Sequence, residues 1–140
     1  MAIKHTRTHT VTVTETELLG NIANYRIFEW YSNSRVDFYI IAGLIEIVSG
    51  KPQFIGTDGA VVLLRRYEEA DFFKTLSFGD EVAISSEVVS VGEHSIKFEH
   101  EVRRGEELIA RAYSLHVYVD PQFGKKPIPE TIKSKLFEGN

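Results

Sequence analysis

A carboxylate, a glycine and two asparagines fall where a strand pattern gives way to a helix pattern: Glu17-Leu18-Leu19-Gly20-Asn21-Ile22-Ala23-Asn24. A helix start offers backbone N–H groups without intrahelical acceptors and a partial positive charge. Such groups polarise a carbonyl and hold the oxyanion that forms when it is attacked. A carboxylate beside them can act as a base on water or as a nucleophile. Acyl transfer to water needs both functions. Acidic residues are also common at helix starts for the dipole alone, so from composition and spacing Glu17 reads first as a solvated turn residue or a charge partner of the helix.

Two elements must position this junction. Before it, threonine recurs at every second residue from Thr6 to Thr16, the period of a strand in β-branched residues. Gly20 breaks that pattern with a turn, and Asn21 or Asn24 is placed to cap the next element. Residues 22–44 then read as one long helix. Ile27, Tyr31, Phe38 and Ile41 form its apolar stripe, and Trp30 and Leu44 widen it. Gly43 and Ser49-Gly50-Lys51-Pro52 are stop signals, with Leu44 to Val48 read as a further helical turn.

From Gln53 to Asp120 the pattern is sheet. Val61 to Tyr67 is β-rich, a strand runs over residues 81–91, and Ile96, Phe98, His100 and Val102 alternate with Lys97, Glu99, Glu101 and Arg103. Arg104-Gly105-Glu106-Glu107 turns the chain into a long strand, Leu108 to Val119, suited to a central place. A short helix follows Pro129, from Glu130 to Phe137. One helix against a run of strands is an α+β architecture. Residues 1–140 form a single domain, with no repeat and no linker.

Composition narrows the chemistry. The 140 residues contain no cysteine, which removes disulfides, thiolate metal sites and cysteine nucleophiles. A formal charge of −4 argues against a phosphate-tracking nucleic-acid surface. Phosphate loops, dinucleotide fingerprints, serine elbows and paired metal-binding histidines are missing from the sequence. His100 and His116 read as half-buried sheet histidines. No segment approaches the ~18 apolar residues of a membrane span. Residues 1–5 carry no signal-peptide run, and the expected location is the cytoplasm.

The junction resembles that of the hotdog-fold acyl-CoA thioesterases of the 4-hydroxybenzoyl-CoA thioesterase type. In that family an aspartate lies three residues before a glycine, the places held here by Glu17 and Gly20. Asn21, Ile22, Ala23 and Asn24 stand for the family's histidine, valine and two asparagines. Ile27 takes the place of a tyrosine, Phe28-Glu29-Trp30 matches a leucine-glutamate-aromatic step, and Arg35 falls on a common arginine. Phe72, Gly79-Asp80, Gly92 with Ser95, and the ending His116 to Asp120 then Lys126 to Pro129 extend the likeness across about residues 7 to 137. A branch from enediyne and polyketide biosynthesis shares the Gly-Asn step and the arginine, with asparagine at the acidic place.

The resemblance implies a hotdog fold, a long central helix on a five- or six-stranded antiparallel sheet. It implies hydrolysis of an acyl-CoA or acyl-carrier-protein thioester without cofactor or metal, and self-association as a dimer or tetramer. Neither nucleic acid nor membrane is an expected partner. Glu17, Asn21, Asn24 through its backbone N–H, and Arg35 become the candidate catalytic residues. Ile27, Phe28, Tyr31, Val62 and Leu64 would line an acyl slot, and Arg65 or Arg66 would meet phosphates. Arginine suits phosphate, but adjacent strand residues face opposite ways, so one of the two is expected at any one site. Lys125-Lys126 is a comparable pair. Arg35 lies eleven residues past Asn24, roughly 16 Å along a helix axis, which favours an ion pair or a contact to a shared site over direct catalysis. Two other readings are a non-catalytic acyl-thioester binder and a hotdog dehydratase or hydratase. The second needs a histidine at the helix start, where Asn21 stands.

Overall fold

A computed structural model describes residues 3–56 and 59–138. In chain order these form β1 (Lys4–Thr10), a single 3-10 turn (Val13–Glu15), α1 (Tyr25–Ile41), β2 (Ile45–Val48), β3 (Lys51–Phe54), β4 (Val61–Phe72), β5 (Glu81–Val91), β6 (Ser95–Arg104), β7 (Glu107–Val119) and α2 (Glu130–Glu138). Five strands make one antiparallel sheet in the order β1-β5-β6-β7-β4. The remaining two, β2 and β3, pair only with each other. The expected α+β arrangement, one long helix on an antiparallel sheet, is present.

α1 lies on the sheet because Ile27, Trp30, Tyr31, Ser34 and Phe38 recur every three or four residues and all are buried. The core has two halves. Ile27, Trp30 and Tyr31 meet Val82, Ile84, Val102 and Ile109 at the start of α1. Phe38, Tyr39 and Leu44 meet Phe98, Tyr118 and Leu136 of α2 at its end. Each such side chain contributes about 1.5–3 kcal/mol on burial.

Several boundaries differ from the sequence reading, each for a local reason. β1 stops at Thr10, not Thr16. The Thr12 N–H and hydroxyl both donate to Glu15 Oε1, at 2.9 and 3.0 Å, and curl the chain into the 3-10 turn. α1 spans Tyr25–Ile41 and not residues 22–44. At its end Gly43 turns left-handed with φ 73°, which a glycine adopts without steric cost. Leu44 to Val48 is therefore not a last helical turn. Its β-branched residues form β2, joined to β3 through Ser49 and Gly50 at φ 52° and 78°, the paired positive angles of a tight hairpin. β7 is an interior strand, but the middle of the sheet is β6. The segment Gln53 to Asp120 is interrupted by non-strand residues 55–56 and 59–60 and the loop at 73–80, while positions 57 and 58 lie outside the described residues.

Candidate active site

The chain reaches α1 through a tight turn. Glu17 N–H donates to the Asn21 carbonyl at 2.8 Å, and Gly20 N–H to the Glu17 carbonyl at 2.8 Å. Gly20 sits at φ 85°, which is why the turn needs glycine there. Beyond it, Ile22 N–H bonds the Leu76 carbonyl and Ala23 N–H the Glu15 carbonyl. Glu17, Asn21 and Asn24 are therefore held together at one exposed corner. Around them Leu18, Leu19, Tyr25 and Phe78 are also exposed, Leu18 completely so.

The first turn of α1 is open. Arg26 N–H is taken by the Ala23 carbonyl and Ile27 N–H by that of Asn24. The N–H groups of Asn24 and Tyr25 donate to no backbone acceptor among the described residues. Asn24 does not cap the helix. Its backbone is already helical (φ −58°, ψ −30°) and its side chain makes no capping bond, whereas a capping side chain acts from extended backbone. Two donors and the positive end of the dipole are thus left open at the helix start, one turn of chain past Glu17.

A second carboxylate holds this corner to the helix. Glu15 accepts from His9 Nε2 at 2.8 Å, from Trp30 Nε1 at 2.7 Å, and from the Thr12 N–H and hydroxyl. Arg26 reaches back to the Thr14 carbonyl at 3.4 Å. Burial alone would raise the Glu15 carboxyl. The donors, with the Thr12 N–H foremost among them, outweigh it and bring the pKa down to about 2.

The other expected residues separate. Ile27 and Tyr31 are core, each 1% exposed, so neither can line an open slot. Phe28 is half-buried and packed against Tyr67 and Phe72, with ring centroids 4.6 and 5.8 Å away. Leu64 is exposed on β4. Val62 borders a groove, where it is joined by Arg35, Tyr39, Ile45, Pro52 and Phe54. Arg35 is thus part of a groove along the second half of α1, and among the described residues it does not form the ion pair expected of it.

Arg65 and Arg66 correct a geometric expectation. A register shift in β4 between Leu64 and Arg66 breaks strict alternation. Both arginines consequently line one cleft, with His94, Ser95, Leu115, Val117 and Lys125. Leu115 and Val117 alternate with the buried Ser114, His116 and Tyr118, so this cleft lies on the sheet face away from α1.

A family model described as the thioesterase-like superfamily matches residues 11–136. The chain belongs to that superfamily. It is similar to a 1,4-dihydroxy-2-naphthoyl-CoA hydrolase of Microcystis aeruginosa, with 31% identity over 80 residues, 56% of this chain and 58% of that protein. The match thus spans little more than half of that relative's length. A putative thioesterase from Prochlorococcus marinus superposes with TM-score 0.80 at 21% identity, covering 94% of this chain and 93% of that one. A 1,4-dihydroxy-2-naphthoyl-CoA thioesterase from Synechocystis gives 0.79 at 18%, covering 95% of each. These likenesses are of fold, and the fold is the hotdog.

Within this thioesterase-like chain the sequence reading missed Glu15 as a fastener, although Thr12-Val13-Thr14-Glu15 carries the Ser/Thr-x-x-Glu signal of a chain reversal. It also underrated the histidines. His100 and His116 are fully buried, not half-buried. They belong to a chain of contacts under α1: Ser86 Oγ donates to Ser34 Oγ at 2.8 Å, Ser86 meets His100 Nδ1 at 2.6 Å, and Ser114 Oγ meets Nε2 of both histidines at 2.8 Å. Strand alternation places these side chains on one face, but nothing in their spacing marks them as partners. Among the described residues no cluster of His, Asp or Glu could hold a metal ion, and no helix is long and apolar enough to cross a membrane.

Proposed function

We propose that this chain hydrolyses an acyl thioester, with Glu17 as the reacting carboxylate and the Asn24 N–H as the oxyanion donor. The observation that carries this is the open first turn of α1, with the Asn24 and Tyr25 N–H groups without a backbone acceptor among the described residues, and an exposed carboxylate on the turn that leads into it. Membership of the superfamily supports it. The thioester carbonyl sits on the two N–H groups, and charge growing on its oxygen is stabilised there. Glu17 either takes a proton from the attacking water or attacks the carbon itself. In the first route the tetrahedral intermediate expels the thiolate, which is protonated, and the acid leaves. In the second a mixed anhydride forms as the thiolate departs, and water opens it.

Asn21, bound at the same corner, orients the water or the carbonyl. The paired arginines of the outer cleft are the best phosphate ligands, for coenzyme A or for the arm of a carrier protein. A cytoplasmic homodimer or tetramer completes the reading. Among the described residues one edge of β4 is unpaired, and the Glu17 corner carries exposed apolar side chains that a second surface would cover.

The test is a panel of short, long, aromatic and β-keto acyl thioesters, on coenzyme A and on carrier protein, with release of free thiol as the readout. Turnover falls at least tenfold in Glu17→Gln, which keeps size and loses the base. Undiminished turnover in that variant would remove Glu17 from the reaction. A trapped glutamyl–acyl adduct selects the anhydride route. No turnover on any member favours a binder that uses the same corner, a reading consistent with the lack of any side-chain partner orienting the Glu17 carboxylate among the described residues.

A further inference from the structure

The groove along the second half of α1 has a volume of about 410 Å³ and is walled by Val36, Ile40, Ile45, Ile47, Pro52 and Val62. Such a wall suits an aliphatic or aromatic group. Two of its polar side chains, Arg35 and Tyr39, carry buried atoms without a partner among the described residues. Arg35 Nη1 is buried without a hydrogen-bond partner, and among the described residues Arg35 forms no ion pair. The Tyr39 hydroxyl, on a residue 5% exposed, is also buried and without a partner. A buried donor left unmatched costs about 1–3 kcal/mol, and more when charged, so this arrangement is expected to meet an acceptor in use.

The neighbouring core supplies no anion to match it. Arg35 is close enough that its charge, after burial, helps to depress both His100 and His116. With Ser86 donating to Ser34, His100 carries its proton on Nδ1 and accepts from Ser114 at Nε2. His116 then donates from Nε2 to Ser114, and its Nδ1 is a lone pair, also buried and unpartnered. That nitrogen accepts; it brings no negative charge to the guanidinium.

We propose that this groove binds the far end of the acyl group and that Arg35 selects acyl groups carrying an anion there, such as a carboxylate or a phenolate. This rests on the thioester reading and names the substrate class within it: an amphipathic acyl group, apolar along its length and acidic at its end. Arg35 acts at roughly 16 Å along the helix from the Asn24 donor, so it reads the end of the substrate and does not touch the reacting carbonyl. Two N–H···O bonds from one guanidinium to one carboxylate give the geometric selectivity.

The test separates binding from turnover. Dodecanoate and dodecan-1-ol, with the same tail and different heads, are titrated into the intact protein by calorimetry. Dodecanoate binds at least tenfold more tightly to the native chain and to Arg35→Lys, and the ratio falls to within twofold in Arg35→Met. Val62→Trp, which fills the groove from β4, removes both ligands. Thermal melting confirms that each variant is folded, and Arg35→Gln, which loses the charge but keeps a polar side chain, replaces Arg35→Met if that one is not. Equal affinity of the two heads for the native chain overturns the proposal. So does a charge preference that survives in Arg35→Met, or binding that ignores Val62→Trp. In parallel, KM is compared for dodecanoyl-CoA and the mono-CoA thioester of dodecanedioic acid. Hydrolysis without charge discrimination overturns the groove and leaves the thioesterase reading. Discrimination in binding with no hydrolysis does the reverse.

Discussion

Replacing Glu15 with glutamine tests whether the corner that carries Glu17 is fastened by charge. The native carboxylate collects four donors, and its pKa is held at about 2 against an ordinary 4.5. A gap of that size corresponds to about 3 kcal/mol at 1.36 kcal/mol per unit, and solvent at this half-buried site reduces it to about 2 kcal/mol. The amide has one acceptor oxygen and turns its NH₂ against a remaining donor. Glu15→Gln therefore loses about 2 kcal/mol at pH 7, a fall in Tm of roughly 5–10 °C for a domain of this size. The sign follows from the depressed folded pKa. The stabilisation is complete above about pH 4.5 and is lost as pH falls through 2. Urea denaturation of the native chain and the variant at pH 7 and pH 3 measures it, and the difference between them shrinks at the lower pH. A variant as stable as the native chain at pH 7, or a difference that stays constant with pH, refutes the reasoning.

The buried histidines make a prediction of their own. Burial, reinforced by the Arg35 charge, pushes His100 down to about 3 and His116 to about 2, so the unfolded chain takes up their protons first. Their stabilisation is whole above pH 6.5 and drains below it, by up to about 2.7 kcal/mol per pH unit for the two together; NMR shows both rings neutral until the protein unfolds, and titration near pH 6.5 in the folded state contradicts this. At the Glu17 turn, Gly20 sits at φ 85° with open space where a side chain would project. Gly20→Ala then costs about 1 kcal/mol from backbone strain alone, read by denaturation, and a neutral substitution shows that the turn is not held left-handed.

Much of the frame was legible because it rests on periodicity. Alternation gave β6, the three-to-four spacing gave α1, and Gly-Asp and Arg-Gly-Glu turns placed β5 and β7. Misreadings came where a side chain overruled a local pattern. Thr10 to Thr16 alternates like a strand, yet Glu15 reaches back to Thr12 and bends it. Leu44 to Val48 continues an apolar run, yet Gly43 has already ended the helix. The candidate corner was readable because turn, carboxylate and helix start are adjacent in the chain. The Arg35 groove and the two-arginine cleft were not, since one depends on a hairpin folding over α1 and the other on a single-residue bulge in β4. Neither leaves a mark in spacing.

Of the three places where ligand chemistry collects, the Glu17 corner and the Arg65–Arg66 cleft lie apart within one chain. The Glu17 corner begins α1, the Arg35 groove borders its second half, and the Arg65–Arg66 cleft lies on the other face of the sheet. A single coenzyme A thioester serving both the corner and the cleft of the same chain would have to reach from the α1 side of the sheet to its other face. Among the described residues β4 has one unpaired edge, and a second copy seated there offers another cleft that could serve the first chain's corner. Each site then draws Glu17 from one chain and its arginines from the other. Mixing Glu17→Gln with Arg65→Ala/Arg66→Ala decides it, after unfolding and refolding together to exchange chains. If the residues act across the interface, half of the dimers are mixed and each carries one intact site, so activity recovers to roughly a quarter of native. If they act within a chain, every site keeps one defect. Activity of the mixture then stays at the average of the two variants, and the dimeric site is excluded.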